Sequence, residues 1–275
     1  MIHRKTTERQ IDFSIRPTNA EGDYTYLLAL IEKEKITDIV ICGGDGTVSA
    51  VAAALKGSDV RVGIIPMGSG NGLAYAANIP KNPAKALEII FAGAAAYIDA
   101  FTINDHFSCM LCGIGFDARV AHEFANQKKR GLQTYVRVSL YQFFKTGSTP
   151  FRIHTGNKTI ATDAFFISVA NGNQFGNHFT IAPKADLQDG LLDIVVVKKM
   201  GKFRTFYSVL LQVLGRNSLQ SLPAENGKDV LYFQTPSLII ENPQQAPLHI
   251  DGDPAPTAAA FTIRVVPRAF QLIQP

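Results

Sequence analysis

The sequence predicts an α/β protein in two parts, a parallel α/β domain followed by a mainly antiparallel β domain. The chain has 275 residues, 46% of them hydrophobic and 18% charged, so it can bury an ample core. Strand and helix patterns alternate as far as Gly93. After about Tyr97, short strand-like runs dominate, and clusters of Gly, Asn, Asp and Pro separate them.

The first domain, residues 1–97, is predicted to consist of strand–loop–helix units. Its helices carry apolar residues at helical spacing or end at a glycine, and its strands are short apolar runs. The predicted strands are Asp38–Cys42 and Val60–Ile65, and the predicted helices are Tyr24–Lys35, Val48–Leu55, Leu73–Asn78 and Pro83–Gly93. Such units imply parallel strands joined by crossover helices, as in nucleotide-binding domains.

The second domain, residues 98–266, is predicted to be rich in β-strands, with two helices at Leu132–Phe144 and Lys202–Leu214. The C-terminal segment, about residues 267–275, is expected to return to the first domain. The predicted strands are Ile98–Ile103, Phe107–Cys112, Phe151–His154, Ala164–Ala170, Asp193–Val197, Leu238–Glu241, Leu248–Asp251 and Phe261–Val266.

Charge and composition exclude several classes of protein. The net charge of +4 and the pI of about 8.9 suit an anionic partner, but they do not indicate a nucleic-acid partner. No apolar stretch reaches the ~18 residues of a spanning helix, and the N-terminus has no signal-peptide pattern. Three cysteines, Cys42, Cys109 and Cys112, are too few for a disulfide framework. We therefore expect a cytoplasmic protein.

Two glycine loops each follow a predicted strand and precede a predicted helix. The first consists of Gly43, Gly44, Asp45, Gly46 and Thr47, and the second contains Gly68, Ser69, Gly70 and Asn71. Glycines let the backbone approach a ligand closely, and a helix N-terminus offers N–H groups to phosphate. The second loop is neither a Walker loop nor a nucleophile elbow. Loops after consecutive parallel strands converge on one crevice, so the two loops predict a shared phosphate site.

The sequence resembles the diacylglycerol kinase catalytic-domain family over nearly its whole length. Gly43–Thr47 resembles the family's GGDGT signature, and Pro66–Asn71 resembles its second glycine loop. Three later segments complete the family order, namely Gly113–Ala118 (GIGFDA), Asp186–Leu192 (DLQDGLL) and Ile250–Asp253 (IDGD). Five motifs in the family order are far more specific than any one of them.

The resemblance implies a lipid kinase that uses ATP and Mg²⁺. Thr18, Gly44–Thr47 and Ser69 match positions that contact ATP, and Asp253 matches the proton acceptor, which is usually Glu. Asp251 and Asp45 are the other catalytic candidates, for metal or hydroxyl orientation.

A second metal site is implied at Asp189, with the backbone oxygens of Asp186 and Leu191; the alternative interpretation is a β-turn with surface aspartates. The family's Asn-Pro-x-x-Gly loop has no counterpart before Thr18. We therefore expect either a shortened chain or a nucleotide site that lacks one wall. A missing first strand would expose a sheet edge, so a homodimer is an expected assembly.

The segment from Phe124 to Thr162 has no acidic residue, seven basic ones and several aromatic ones. It predicts peripheral contact with an anionic membrane; the alternative is a packed helix with a solvated basic face. The expected reaction is phosphorylation of diacylglycerol to phosphatidic acid, or of a sphingoid base. The rival hypotheses are an NAD kinase-like enzyme and a catalytically weakened lipid- or nucleotide-binding protein.

Overall fold

The computed structural model describes residues 2–19, 21–128, 131–174, 181–199, 201–213 and 229–275. The first part of the chain alternates helices with two parallel strands that pair from Asp38 with Arg61 to Gly43 with Pro66. Its elements are α1 (Ile2–Glu8), α2 (Tyr26–Glu34), β1 (Asp38–Gly43), α3 (Asp45–Ala54), β2 (Arg61–Pro66), α4 (Gly72–Ala76) and α5 (Pro83–Ala92). The predicted strand–helix order is therefore confirmed, and α1 is an addition to it.

The rest of the described chain is mostly antiparallel strands. The strands are β3 (Ala95–Ile103), β4 (His106–Ser108), β5 (Leu111–Gly115), β6 (Thr149–Thr155), β7 (Lys158–Ala170), β8 (Leu192–Lys198), β9 (Val230–Thr235), β10 (Ser237–Glu241), β11 (Leu248–Ile250), β12 (Asp253–Ala255) and β13 (Ala260–Ile273). The helices are α6 (Phe116–Ala125), α7 (Leu132–Lys145) and α8 (Lys202–Val213). The predicted α/β fold class is confirmed.

The last strand, β13, joins the two parts of the molecule. Its end pairs in parallel with β2, where Gln271 lies opposite Arg61, and along most of its length it pairs with β3 in antiparallel fashion. Its first half also pairs with β10. Between Val266 and Phe270 the register shifts, and Arg268 has a φ of 51°. This bulge bends β13, so that one strand serves both the parallel and the antiparallel region.

Several further elements differ from the sequence predictions. The prediction of a single strand over Phe107–Cys112 is wrong, because β4 ends at Ser108 and a separate strand, β5, begins at Leu111. Between the two strands, the carboxylate of Asp251 accepts hydrogen bonds from the hydroxyl of Ser108 and from the backbone amides of Met110 and Leu111. Helix α6 and strands β9 and β12 were not predicted. The predicted helix end at Leu214 and two residues of the predicted basic segment, Lys129 and Arg130, lie outside the described residues.

Two groups of buried apolar side chains hold these layers together. One packs the helices of the first part against the sheet and includes Val62, Leu73 and Phe270. The other fills the interior between antiparallel strands and includes Phe151 and Phe261. Strand β13 contributes to both groups, so one strand packs into the two apolar interiors.

Candidate active site

The two glycine loops touch each other backbone to backbone. A Cβ atom added at Gly68 would lie 2.6 Å from the Cα atom of Gly44, which is closer than real Cβ contacts allow. The amide of Met67 donates a hydrogen bond of 2.9 Å to the carbonyl of Gly43. Since only glycine at these positions permits this approach, the sequence itself brings the two loops together.

Asp45, the first residue of α3, links the first loop to the second. Its carboxylate accepts hydrogen bonds of 2.7 Å from the backbone amides of Asn71 and Gly72. Burial raises the pKa of Asp45 to about 6; the charges of Asp251 and Asp253 raise it further, and the two hydrogen bonds oppose the rise.

Asn71 closes the second loop on itself. It has a left-handed φ of 55°, which Asn tolerates better than most residues. Its side-chain oxygen accepts a hydrogen bond from the amide of Gly68, and its amide group donates one to the carbonyl of Gly68. The loop is therefore held in shape before any ligand binds.

Asp251 is held by four donors from three different elements. The hydroxyls of Ser49 and Ser108 donate at 2.5 and 2.6 Å, and the amides of Met110 and Leu111 donate at 3.3 and 3.1 Å. Burial raises the pKa of Asp251, and these hydrogen bonds oppose the rise. With its oxygens engaged in this way, Asp251 fixes the turn that carries Asp253 to the first glycine loop.

Asp253 is exposed and begins β12 beside that loop. A Cβ atom at Gly46 would lie 3.2 Å from Asp253 Oδ2, so the carboxylate rests against the start of α3. Gly252, with a φ of 89°, provides the turn between Asp251 and Asp253. Three carboxylates therefore surround the N-terminus of α3, where backbone N–H groups favour negative charge.

A cleft of about 640 Å³ begins at these loops and continues into an apolar region. At its polar end lie Gly44–Thr47, Gly68–Gly70, Asp251 and Asp253. Its apolar end is lined by Phe116, Val120, Ala121, Phe124, Val136, Leu140, Phe143, Phe166, Ile181 and Phe206. Helices α6, α7 and α8 thus line this apolar end, which we call the chamber, next to the polar, glycine-rich end of the same cleft.

Two further polar side chains line the cleft at its middle and were not among the predicted site residues. His249 and Asp117 are 1% and 7% exposed, and His249 Nε2 lies 3.5 Å from Asp117 Oδ2. Both rest on Gly113, where a Cβ atom would lie 1.9 Å from Asp117 Oδ2. The glycine in the segment Gly113–Ala118 was the available signal, because it makes room for these two side chains.

The residues predicted for a second metal site form a tight turn. Asp186 and Asp189 each accept a hydrogen bond from a backbone amide two residues later, those of Gln188 and Leu191. Gly190 donates to Asp99, which sequence analysis did not single out. Burial raises the pKa of Asp189, and the charges of Asp186 and Asp99 raise it further. Among the described residues, no group of three or more His, Cys, Asp or Glu side chains is arranged to hold a metal ion.

The remaining predicted nucleotide contacts lie in different places. Ser69 and Thr47 line the cleft, whereas Gly43 and Asn71 support the loops from behind. Thr18 is exposed and is not among the residues that line the cleft. The roles assigned to these residues stay predictions.

Comparison with known proteins agrees with this arrangement. The family model of the diacylglycerol kinase catalytic domain matches residues 1–103, and that of the YegS C-terminal NAD kinase beta sandwich-like domain matches residues 111–274. A protein of Pectobacterium atrosepticum, described as a probable lipid kinase YegS-like, is 30% identical over 263 residues, or 93% of this chain and 84% of that protein. The chain belongs to this family of lipid kinases.

Other YegS-like relatives and solved structures extend the match. The protein of Serratia proteamaculans is 28% identical and covers 98% of this chain and 86% of its own length. A diacylglycerol kinase structure from Bacillus anthracis has a TM-score of 0.73 at 20% identity, covering all of this chain and 92% of that one. A second structure from the same organism gives 0.77 at 22% identity. At these identities the structural likeness concerns the fold alone.

No helix within the described part of the chain is long and apolar enough to cross a bilayer.

Proposed function

We propose that this kinase transfers the γ-phosphoryl group of ATP to the free hydroxyl of diacylglycerol and so forms phosphatidic acid. One observation carries the proposal, namely that a single cleft joins a glycine-rich polar end to a chamber lined by large apolar side chains. Acyl chains fit the chamber, and the hydroxyl of the lipid then faces the three carboxylates. NAD is polar over its whole surface apart from its bases, so an apolar lining adds little to its binding.

The polar end is suited to a nucleoside triphosphate. The loops expose backbone N–H groups at the N-terminus of α3, and glycines leave the approach open. Asp45 and Asn71 hold the loops in place, so little ordering cost remains when phosphates bind.

The carboxylates of this site are suited to a Mg²⁺ ion that is bound partly through the nucleotide. Mg²⁺ commonly takes one or two protein carboxylates and completes its shell with phosphate and water oxygens. Asp45 and Asp251 already accept several hydrogen bonds, whereas Asp253 is exposed at the cleft. Asp253 would therefore hold the ion, whose charge neutralises the transferring phosphoryl group. A second metal ion at Asp189 remains part of the proposal, with hard oxygen ligands as its support.

Asp253 is also the proposed proton acceptor. As the lipid oxygen bonds to the γ-phosphorus and the bond to ADP breaks, the hydroxyl proton passes to a carboxylate oxygen of Asp253. Asp251 positions it through the turn at Gly252, and Asp45 positions the phosphate loops.

We further propose that the protein works at the cytoplasmic surface of a membrane, where ATP and a water-insoluble lipid meet. For the proposed homodimer, β1 ends the described strand order and offers an unpaired edge.

The test is transfer from labelled ATP, with Mg²⁺, to mixed micelles of diacylglycerol, sphingosine or ceramide, with NAD offered in solution. We expect label on diacylglycerol and a loss of kcat of about 10²–10⁴-fold in Asp253→Asn. Asp105→Asn, an exposed carboxylate in the turn between β3 and β4, serves as the matched control and should keep wild-type activity.

Each other result selects a different account. Label on sphingosine would change the acceptor to a sphingoid base, and label on NAD would favour the NAD kinase-like enzyme. Binding of ATP without transfer to any acceptor would support a weakened binding protein.

A further inference from the structure

Helices α7 and α8 expose an unusual number of large apolar side chains. Half of the exposed large hydrophobic residues in the described chain lie on these two helices, namely Val136, Leu140, Tyr141, Phe144, Phe203, Phe206 and Tyr207. Phe203 is 95% exposed and Phe144 is 72% exposed. We call these seven residues the aromatic face. A contiguous exposed apolar surface of this kind indicates contact with something other than water.

The aromatic face is continuous with the apolar end of the cleft. Val136, Leu140 and Phe206 belong to both, since each lines the cleft and is also about half exposed. The chamber therefore opens within the aromatic face, and the opening is bordered by apolar side chains.

A lysine fixes the two helices against each other. Lys202 Nζ, at the start of α8, donates hydrogen bonds to the carbonyls of Phe143 and Thr146 at the end of α7. It also lies 5.1 Å from the ring centres of Phe143 and Phe165. Phe206 of α8 packs edge-on against Phe143, with their ring centres 6.2 Å apart, and Phe116 packs edge-on against the same ring at 6.1 Å. These contacts hold the base of the aromatic face together.

The charges on the two helices are all positive. Within their described ranges, α7 carries Arg137 and Lys145, α8 carries Lys202 and Arg204, and neither helix has an acidic residue. Lys145 lies 5.6 Å from the ring centre of the exposed Tyr141. Asp229, the acidic neighbour, already pairs with Arg204. Exposed aromatic rings bordered by cations are suited to the interface of an anionic bilayer, where rings sit among headgroups and cations meet lipid phosphates.

We propose that the aromatic face inserts into the interface of an anionic membrane, so that the cleft opens directly into the lipid. A lipid then moves sideways from the bilayer into the chamber, and its hydroxyl reaches the carboxylates without its acyl chains crossing water. The proposal rests on the lipid kinase function proposed above, and it assigns the surface and the route by which that substrate reaches the site.

The test combines vesicle binding with two forms of the substrate. The variant Phe144→Ser/Phe203→Ser removes the two most exposed rings, neither of which lines the cleft. Tyr26→Ser/Leu28→Ser on α2 is the matched control, because these side chains are also exposed but lie outside the cleft and the aromatic face. Binding is measured by flotation with vesicles of phosphatidylcholine alone or mixed with phosphatidylglycerol, over a range of salt. Transfer is measured on diacylglycerol in the mixed vesicles and on a water-soluble short-chain diacylglycerol.

We expect wild type to bind the mixed vesicles more tightly than the neutral ones, and salt to weaken that binding. The double variant should lose about tenfold or more in vesicle binding and in activity on vesicles, while its activity on the short-chain substrate stays unchanged. Wild-type binding by the variant, or equal loss in the control, would overturn the docking surface. Equal loss on the short-chain substrate would show instead that the rings serve the site itself.

Failure of the proposed function gives a different pattern. In that case neither diacylglycerol form is labelled by wild type, while vesicle binding still reports on the aromatic face by itself. Vesicle binding that does not depend on the two rings would contradict the proposed docking surface but not the proposed kinase activity.

Discussion

At the scale of single residues, the site depends on glycines, because the lack of a side chain lets neighbouring groups come close. Gly44 and Gly68 let the two loops meet, and Gly113 leaves space for Asp117 and His249. At Gly46 the backbone lies close to the carboxylate of Asp253. A methyl group at any of these positions would push apart groups that must act together.

Gly68→Ala tests this contact. The added methyl group would lie 2.6 Å from Gly44 Cα, so the loops must separate, at a cost of about 1–3 kcal/mol for overpacking. We expect ATP affinity, measured by calorimetry, to fall by about tenfold. Gly147→Ala is the control, because its methyl group meets no atom within 4 Å and its φ is not in the left-handed region. Equal affinities in the two variants would contradict the loop contact.

Asp45 should also make stability depend on pH. Its pKa rises from 3.8 to about 6 on folding, so the folded protein holds the proton more tightly than the unfolded chain does. The stabilisation is full below about pH 4 and is lost as pH rises to about 6, amounting to roughly 2–3 kcal/mol. Asp45→Asn should remove this fall.

The measurement is the free energy of unfolding in urea between about pH 4 and 7, compared between wild type and Asp45→Asn. Asp251, whose pKa is also raised, is present in both proteins, so the difference between the two curves reports Asp45 together with its coupling to Asp251 and Asp253. Parallel curves would contradict the raised pKa of Asp45 in the folded protein.

At the scale of elements, the described polar contacts that attach α8 to its neighbours come from its first turn. Lys202 donates to the last carbonyls of α7, where a helix carries partial negative charge. The helix otherwise presents aromatic residues to the cleft and to the outside. Among the described side chains, its position therefore depends on the Lys202 contacts, on the ion pair of Arg204 with Asp229 and on the aromatic cluster.

Lys202→Met should loosen α8 while keeping most of the apolar side chain. Losing the hydrogen bonds to the α7 carbonyls should lower the free energy of unfolding by about 1–2 kcal/mol. Hydrogen exchange should speed up at the end of α7 and in α8. Lys33→Met on the exposed side of α2 is the control and should exchange as wild type does. Wild-type exchange in Lys202→Met would show that α8 is held without this lysine, by contacts such as the aromatic cluster and the Arg204–Asp229 pair.

At the scale of the whole molecule, β13 makes one cooperative unit out of two sheet regions. It pairs with β2 at its end and with β10 near its beginning, and it contributes to both apolar interiors. The cleft lies between groups from both regions, since Asp45 comes from α3 and Asp253 from the antiparallel part. The geometry of the site therefore depends on how this strand joins the regions.

Phe270→Ala tests that unity. Phe270 is fully buried in β13, and its truncation should cost about 3–5 kcal/mol of unfolding free energy. Unfolding should remain a single transition, because both regions share the strand. Phe203→Ala, at a side chain that is 95% exposed, should change stability by less than about 0.5 kcal/mol. Two separate transitions in wild type would show that the regions fold independently.

Much of this protein was determined locally by its sequence. The alternation of strands and helices and the two glycine loops with Asp45 could be predicted, because they depend on short-range spacing and on the conformational freedom of glycine. Asp251 and Asp253 were singled out only by the family resemblance, and their roles stay predictions. The break between β4 and β5 could not be predicted, because a carboxylate some 140 residues away, that of Asp251, organises it.

The tertiary structure alone decided which side chains join the two glycine loops in the cleft. Asp117 and His249 meet over Gly113, and residues from α6, α7 and α8 form one apolar chamber that opens at the aromatic face. Helical spacing fixes which side chains lie on one face of a helix, but packing between elements distant in the chain determines what that face meets. The sequence thus determined the loops, and the packing determined that they lie next to a chamber lined by apolar side chains.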